Sequence, residues 1–132
     1  MKYIKLYELF ETIGDELKTK LLSIGGNSIK ETYEEDLYKL LNRGKLFQPD
    51  DIECLGMEQS RCHQNSAHIW KKADHLNIVS GWALNKNIWY QHTWLYRPES
   101  NEIIETVGNP YEEYFGFILN KEESIKFYWD NN

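Results

Sequence analysis

Cysteine is scarce in this chain, with only Cys54 and Cys62 among 132 residues. Two cysteines make no disulfide framework, so a fold stapled by several bridges is excluded. Basic clusters are missing too. No run of Lys and Arg exceeds two adjacent residues and the net charge is −6, which argues against a nucleic-acid backbone as partner. Residues 1–61 carry 9 basic and 12 acidic groups and residues 62–132 carry 6 and 9, so neither part is a basic arm or an acidic tail. The opening stretch "MKYIKLYELFETIG" has no continuous apolar run and meets acids early. It is expected to be neither a signal peptide nor a membrane span. The expected setting is cytoplasmic and reducing, which leaves a free thiol at Cys62 chemically available. Repeats and low-complexity tracts are also absent.

What is present suffices for one domain spanning 1–132, since a chain of this size buries roughly two-thirds of its unfolded surface. All five tryptophans and thirteen of the nineteen aromatic residues follow Cys62. The part at 1–58 reads as helical, and 59–132 reads as a helix followed by strands. Leu6, Phe10, Ile13, Leu17 and Leu21 recur at helical spacing and predict a helix over about 2–23, ended by "GGN". In "SIKE", Ser28 and Glu31 offer a capping box for a second helix carrying Tyr33, Leu37, Leu40 and Leu41, with Gly44 as its stop. Residues 45–58, with "QPDD", read as a loop or a short irregular segment. A third helix is expected over about 61–73, capped by Ser60, with Ala67, Ile69, Trp70 and Ala73 on its buried face. The runs at 77–84, 88–96 and 102–107, joined by short polar links, predict an antiparallel meander. Residues 114–119 predict a fourth strand, and "IKFYW" at 125–129 a fifth. The expected class is therefore α+β, with N-terminal helices packed on a small antiparallel sheet.

Chemistry concentrates in "QSRCHQNS" and "WYQHTWLY". Cys62 falls in the first turn of the third helix, where open N–H groups and the helix dipole favour thiolate. The plain alternative is a small buried hydrophobe. His63 points about 100° away from Cys62 around the helix, whereas Asn65 shares its face. His92 is the better base, in mid-strand between Tyr90 and Trp94; its plain alternative is a core histidine bonded to a carbonyl. Glu105 interrupts "IIETV" on the face of Ile103 and Val107, where a carboxylate must be paired. A hairpin turning near 98–100 brings it opposite His92–Trp94, where it can fix the imidazole tautomer and stabilise imidazolium. A register slip of one residue would turn it to solvent instead, and Asn109 would then be the next candidate.

A cysteine opening a helix, then a strand histidine, then an acid on the neighbouring strand is the order a papain-like site requires. Residues 62–107 resemble the core of the papain-like cysteine hydrolases in the broad sense. "CHQN", "SGWAL", "QHTWLY" and "IIETV", followed by "YFGFIL", resemble a pattern in small bacterial and phage proteins. The resemblance implies Cys62 as nucleophile, His92 as base and Glu105 as third polar residue. Papain-like enzymes carry an oxyanion-hole glutamine several residues before the cysteine; here Gln59 stands three before and Gln48 fourteen before. The expected donors are the Cys62 N–H with the side chain of Gln59 or Asn65. The large second lobe of papain is absent, so a deep peptide cleft is not expected.

Cys54, Cys62, His63, His68, His75 and His92 are the rival metal ligands, but there is neither a C-x-x-C pair nor an H-E-x-x-H. No metal or other cofactor is expected. Two functions follow. The first is a cysteine hydrolase or acyl transferase acting on the amide, isopeptide or thioester carbonyl of a protein, peptide or small amide, without membrane partner. The second is a non-enzymatic interaction protein, of the kind by which phages or plasmids inhibit a host factor, in which the same residues are core features.

Overall fold

The structure, a computed structural model, describes residues 14–30 and 36–131. In chain order these form helical residues 14–24 (α1), β1 (Ser28–Ile29), α2 (Leu37–Arg43), β2 (Lys45–Phe47), β3 (Asp51–Met57), α3 (Cys62–Lys72), β4 (Asn77–Asn85), β5 (Ile88–Arg97), β6 (Glu102–Val107), β7 (Glu113–Ile118) and α4 (Lys121–Asn131). The fold is α+β, four helices and a mixed seven-stranded sheet among the described residues. None of these helices is long and apolar enough to cross a membrane.

The alternating runs after residue 76 pair as their short links require. β4 and β5 form an antiparallel hairpin from Asn77–Tyr96 to Asn85–Ile88, and β6 returns antiparallel to β5. The fourth run forms β7, which lies along the other edge of β4. In α1, Leu17 and Leu21 are buried as their spacing predicts; Leu6, Phe10 and Ile13 lie outside the described residues, as do Glu31 and Tyr33.

Several expectations give way to tertiary pairing. The sheet is not purely antiparallel, because β1 runs parallel to β5 and β3 parallel to β6. Residues 45–58 are not a loop: they supply β2 and β3. β3 is an edge strand exposed along most of its length, so it carries no apolar alternation to read. Ser28 lies in β1 and caps no helix among the described residues. Its N–H goes to the Asn87 carbonyl at 3.3 Å, and Lys30 follows with a bond to Trp89 O, so the segment joins the sheet and α2 begins after Asp36. Ser60 does not cap α3 either; Arg61 is the N-cap, without a side-chain bond. Residues 125–129 are helical. Asn120 and Glu123 exchange side-chain bonds with each other's N–H groups at 2.8 and 2.9 Å, a capping box that overrides the strand propensity of the aromatic run.

The sheet order is β2-β7-β4-β5-β6-β3. In a flat sheet its end strands would stand five spacings, about 24 Å, apart. Only residues 48–50 join them, and four Cα steps of ~3.8 Å reach about 15 Å at most. The sheet therefore curls towards a barrel. Asn101 fastens the link, accepting from Asp50 N–H at 2.9 Å and donating to the Gln48 carbonyl at 3.0 Å.

Curling separates two cores. On the outer face, Trp82, Trp89, Leu95, Phe115 and Phe117 pack with Leu17, Leu21 and Leu40 of the helices. On the inner face, Phe47, Val79, Ala83, Trp94, Tyr96, Ile103 and Tyr114 fill the curl. Their bulk fits because Gly81 and Gly116, opposite one another, leave the floor bare. A Cβ on Gly81 would lie 2.1 Å from the Phe115 carbonyl oxygen, and one on Gly116 would lie 2.9 Å from the Trp94 ring. Gly81→Ala is therefore expected to destabilise the fold by about 1–3 kcal/mol or more. Chemical denaturation would measure this, and a midpoint equal to wild type would show that the strands have room to part.

Candidate active site

Cys62 is the first residue of α3, which packs on β5 and also meets β4, β6 and α4. No side chain caps this end, so the first-turn N–H groups are open beside the sulfur and the positive end of the helix dipole lies there. His63 diverges, as the helical geometry predicts. Its Nδ1 meets Thr93 Oγ1 at 2.5 Å and its ring lies edge-on to Phe127, on the outer face.

His92 and Glu105 lie on the inner face. His92 is buried and Glu105 is 0% exposed. His92 Nε2 lies 2.8 Å from Glu105 Oε1 and 3.0 Å from Oε2, so Nε2–H donates to the carboxylate and Nδ1 is left for Cys62. The Tyr114 hydroxyl donates to Oε1 at 2.8 Å and the Val107 N–H to Oε2 at 3.2 Å. The carboxylate thus has three sets of donors in place of water. Tyr111 packs against the imidazole at 4.6 Å between centroids, and Trp94 stacks at 6.0 Å.

A helix on the outer face meets a histidine on the inner face because the sheet is split there. Along one edge of β5, β1 pairs with Ile88 and Trp89, and β6 pairs with Leu95, Tyr96 and Arg97. Tyr90–Trp94 lie between, with ladder partners on the β4 side alone among the described residues. The start of α3 fills this opening. Cys62 stands beside the His92 imidazole at the head of one cleft, near enough for each to shift the other's ionisation, and the backbone N–H of Thr93 faces its sulfur.

These contacts set the ionisation. Burial pushes the Cys62 thiol up, but the bond to His92, its positive charge and the Thr93 N–H together hold it below its ordinary value. Burial opposes the charged form of His92 as well. Its bonds to Cys62 and Glu105 and their negative charges outweigh that and raise it to about 9. Both shifts favour thiolate beside imidazolium. Cys54 behaves oppositely: burial and the nearby Glu105 charge push its thiol up.

Cys62 and His92 open into a cleft of about 480 Å³ whose walls include Gln59, Tyr90, Gly108 and Tyr111. Gln59 sits beside Cys62 in this wall, with its amide near Gly108. Asn65 is turned away: its amide donates to the Glu58 carbonyl at 3.0 Å and holds the turn that carries Gln59. Asn109 lines the cleft, yet Glu105 fills the position beside His92. His68, His75 and Cys54 are exposed, and no three His, Cys, Asp or Glu side chains converge as a metal site among the described residues.

Tyr114 and Tyr111 were not legible as site residues. Tyr114 belongs to β7, three strands along from β6, and reaches Glu105 only across the curled interior. No spacing in the sequence reports that closure. Thr93 acts through its backbone, which leaves no trace in residue type.

No protein-family model, no curated protein and no solved structure matches this chain.

Glu105→Gln keeps an acceptor for Nε2 and removes the charge. The His92 pKa, raised to about 9 in the wild type, is expected to fall. NMR titration of the imidazole protons reads this, and an unchanged value would mean that the carboxylate does not hold the imidazolium.

Proposed function

We propose that this chain is a small cysteine hydrolase or acyl transferase acting on an amide, isopeptide or thioester carbonyl. The observation that carries the reading is one alignment: a partly buried Cys62 beside His92 in the cleft, and His92 bonded through Nε2 to both oxygens of a fully buried Glu105. A core histidine does not require a buried carboxylate on one nitrogen and a cleft-facing thiol on the other. The placement of the thiol at a helix start, before a strand histidine, supports a papain-like core.

In the proposed reaction the Cys62 thiolate attacks the substrate carbonyl carbon. The carbonyl electron pair moves onto oxygen, within reach of the open N–H groups at the start of α3 and of the Gln59 amide. As the carbonyl re-forms, the bond to the leaving group breaks and His92 Nδ1–H gives it a proton. Water, or an acceptor amine or thiol, then attacks the thioester with neutral His92 taking its proton, and Cys62 is released. Glu105 touches no reacting atom. It holds the ring orientation and stabilises the imidazolium of the resting site and of each proton transfer.

Acyl transfer from an activated ester, followed as a mass gain on Cys62, tests the reading. Cys62→Ala is expected to abolish it. His92→Ala is expected to slow it by about 10²–10⁴-fold while the fold persists. A folded wild-type protein that takes no acyl group at Cys62 would instead be the interaction protein. Iodoacetamide labelling against pH gives an independent check. Cys62, with its lowered pKa, is expected to react at a lower pH than Cys54, whose pKa is raised, despite the greater exposure of Cys54. Labelling of Cys54 first would remove the electrostatic basis of the proposal.

A further inference from the structure

The walls of the Cys62 cleft differ in charge from the chain around them. The protein carries 21 acidic residues and a net charge of −6. Among the described residues no Asp or Glu lines this cleft. Its polar wall is made of amides, including Gln59, Asn85 and Asn109, with one ammonium group, that of Lys86. A cation at the rim, with no carboxylate among the described walls to oppose it, favours an anionic group there over a neutral one.

Lys86 is held there in an unfavourable backbone. The β4–β5 hairpin turns on Lys86 and Asn87, with φ of 50° and 68°. Positive φ at both central residues marks the type I′ turn, where Asn and Gly are the preferred occupants; a long side chain is disfavoured in this left-handed region. Ser60, which also lines the cleft, is likewise left-handed at φ 65°. Strain of this sort gathers where a side chain must be presented in one direction. The turn is also anchored. The Asn87 carbonyl accepts the N–H groups of Asn27 and Ser28 at 2.9 and 3.3 Å. Lys86 is therefore carried on a fixed rim rather than on a free loop.

We infer that the cleft selects acyl substrates that bear a carboxylate near the scissile carbonyl, and that Lys86 is the specificity residue that reads it. This rests on the proposed nucleophilic role of Cys62. A neutral substrate of the same shape gains nothing from the Lys86 charge, and a cationic one meets no carboxylate among the described walls.

The test uses two haloacetyl probes of one shape, iodoacetyl-glycine and iodoacetyl-glycinamide, which differ in the charge one residue beyond the carbonyl. The Cys62 thiolate displaces iodide from either, and the rate is read on the Cys62 peptide by mass spectrometry at low salt. The quantity compared is the ratio of the charged to the neutral probe. Lys86→Gln is expected to lower this ratio by about two- to five-fold, the range of an exposed charge pair. Added salt is expected to lower the wild-type ratio towards the variant's. Lys121→Gln, which removes the same charge from the start of α4, controls for net charge and is expected to leave the ratio in place. An unchanged ratio in Lys86→Gln, or an equal fall in Lys121→Gln, overturns the inference while normal labelling by the neutral probe keeps the nucleophile. Failure of both probes to label Cys62 in folded protein would overturn the nucleophile and this inference together.

Discussion

The carboxylate of Glu105 is the constraint around which the interior is arranged. A buried carboxylate without partners costs several kcal/mol, and the site keeps it only by surrounding it with donors. Those donors come from three strands: His92 from β5, Val107 N–H from its own strand β6, and Tyr114 from β7. β7 and β6 are separated by β4 and β5 in the sheet, so the Tyr114 bond exists only while the sheet is curled. The short link of residues 48–50, the bare floor at Gly81 and Gly116, and the aromatic filling of Trp94 and Phe47 all serve that curl. The fold and the candidate site thus share one set of supports.

Two layers of the molecule meet at a single opening. The helix layer cannot contact the inner face through a continuous sheet. Between the pairings of β1 and β6 with β5, Tyr90–Trp94 have no ladder partner on that edge among the described residues, and the uncapped start of α3 enters. The Thr93 N–H, left without a ladder partner, turns to the Cys62 sulfur, while the N–H groups at the start of α3 stay open toward the cleft. His63 then fastens the same turn from the outer side through Thr93 Oγ1.

The sequence carried the central elements of this arrangement. Strand alternation with short polar links placed β4, β5 and β6 in register, and an acid among isoleucines demanded a partner, which the hairpin turn identified as His92. The spacing of Cys62 and His63 also told the two apart. What lay hidden depends on contacts distant along the chain. β2 and β3 are short or exposed edge strands whose pairing is supplied by β7 and β6, so their own residues carry no periodic signal. Tyr114 reads as one more strand aromatic until closure brings it over Glu105. The helix at Lys121–Asn131 was within reach: "NKEE" spells its capping box, and the aromatic run that follows obscured it.

The ionisation of Cys62 bears on more than the proposed acyl transfer. Thiolate, not thiol, is the form that peroxide oxidises, and the reaction needs access to the sulfur. Cys62 combines a lowered pKa with an opening onto solvent through the cleft; Cys54 has the exposure but not the charge. Of the two thiols, Cys62 is thereby the one expected to oxidise first. Its first oxidation product, a sulfenic acid, returns to thiol with small thiols, whereas a second oxygen makes the change permanent. A reducing environment is thus a condition for keeping the sulfur in the state that the neighbouring imidazolium favours.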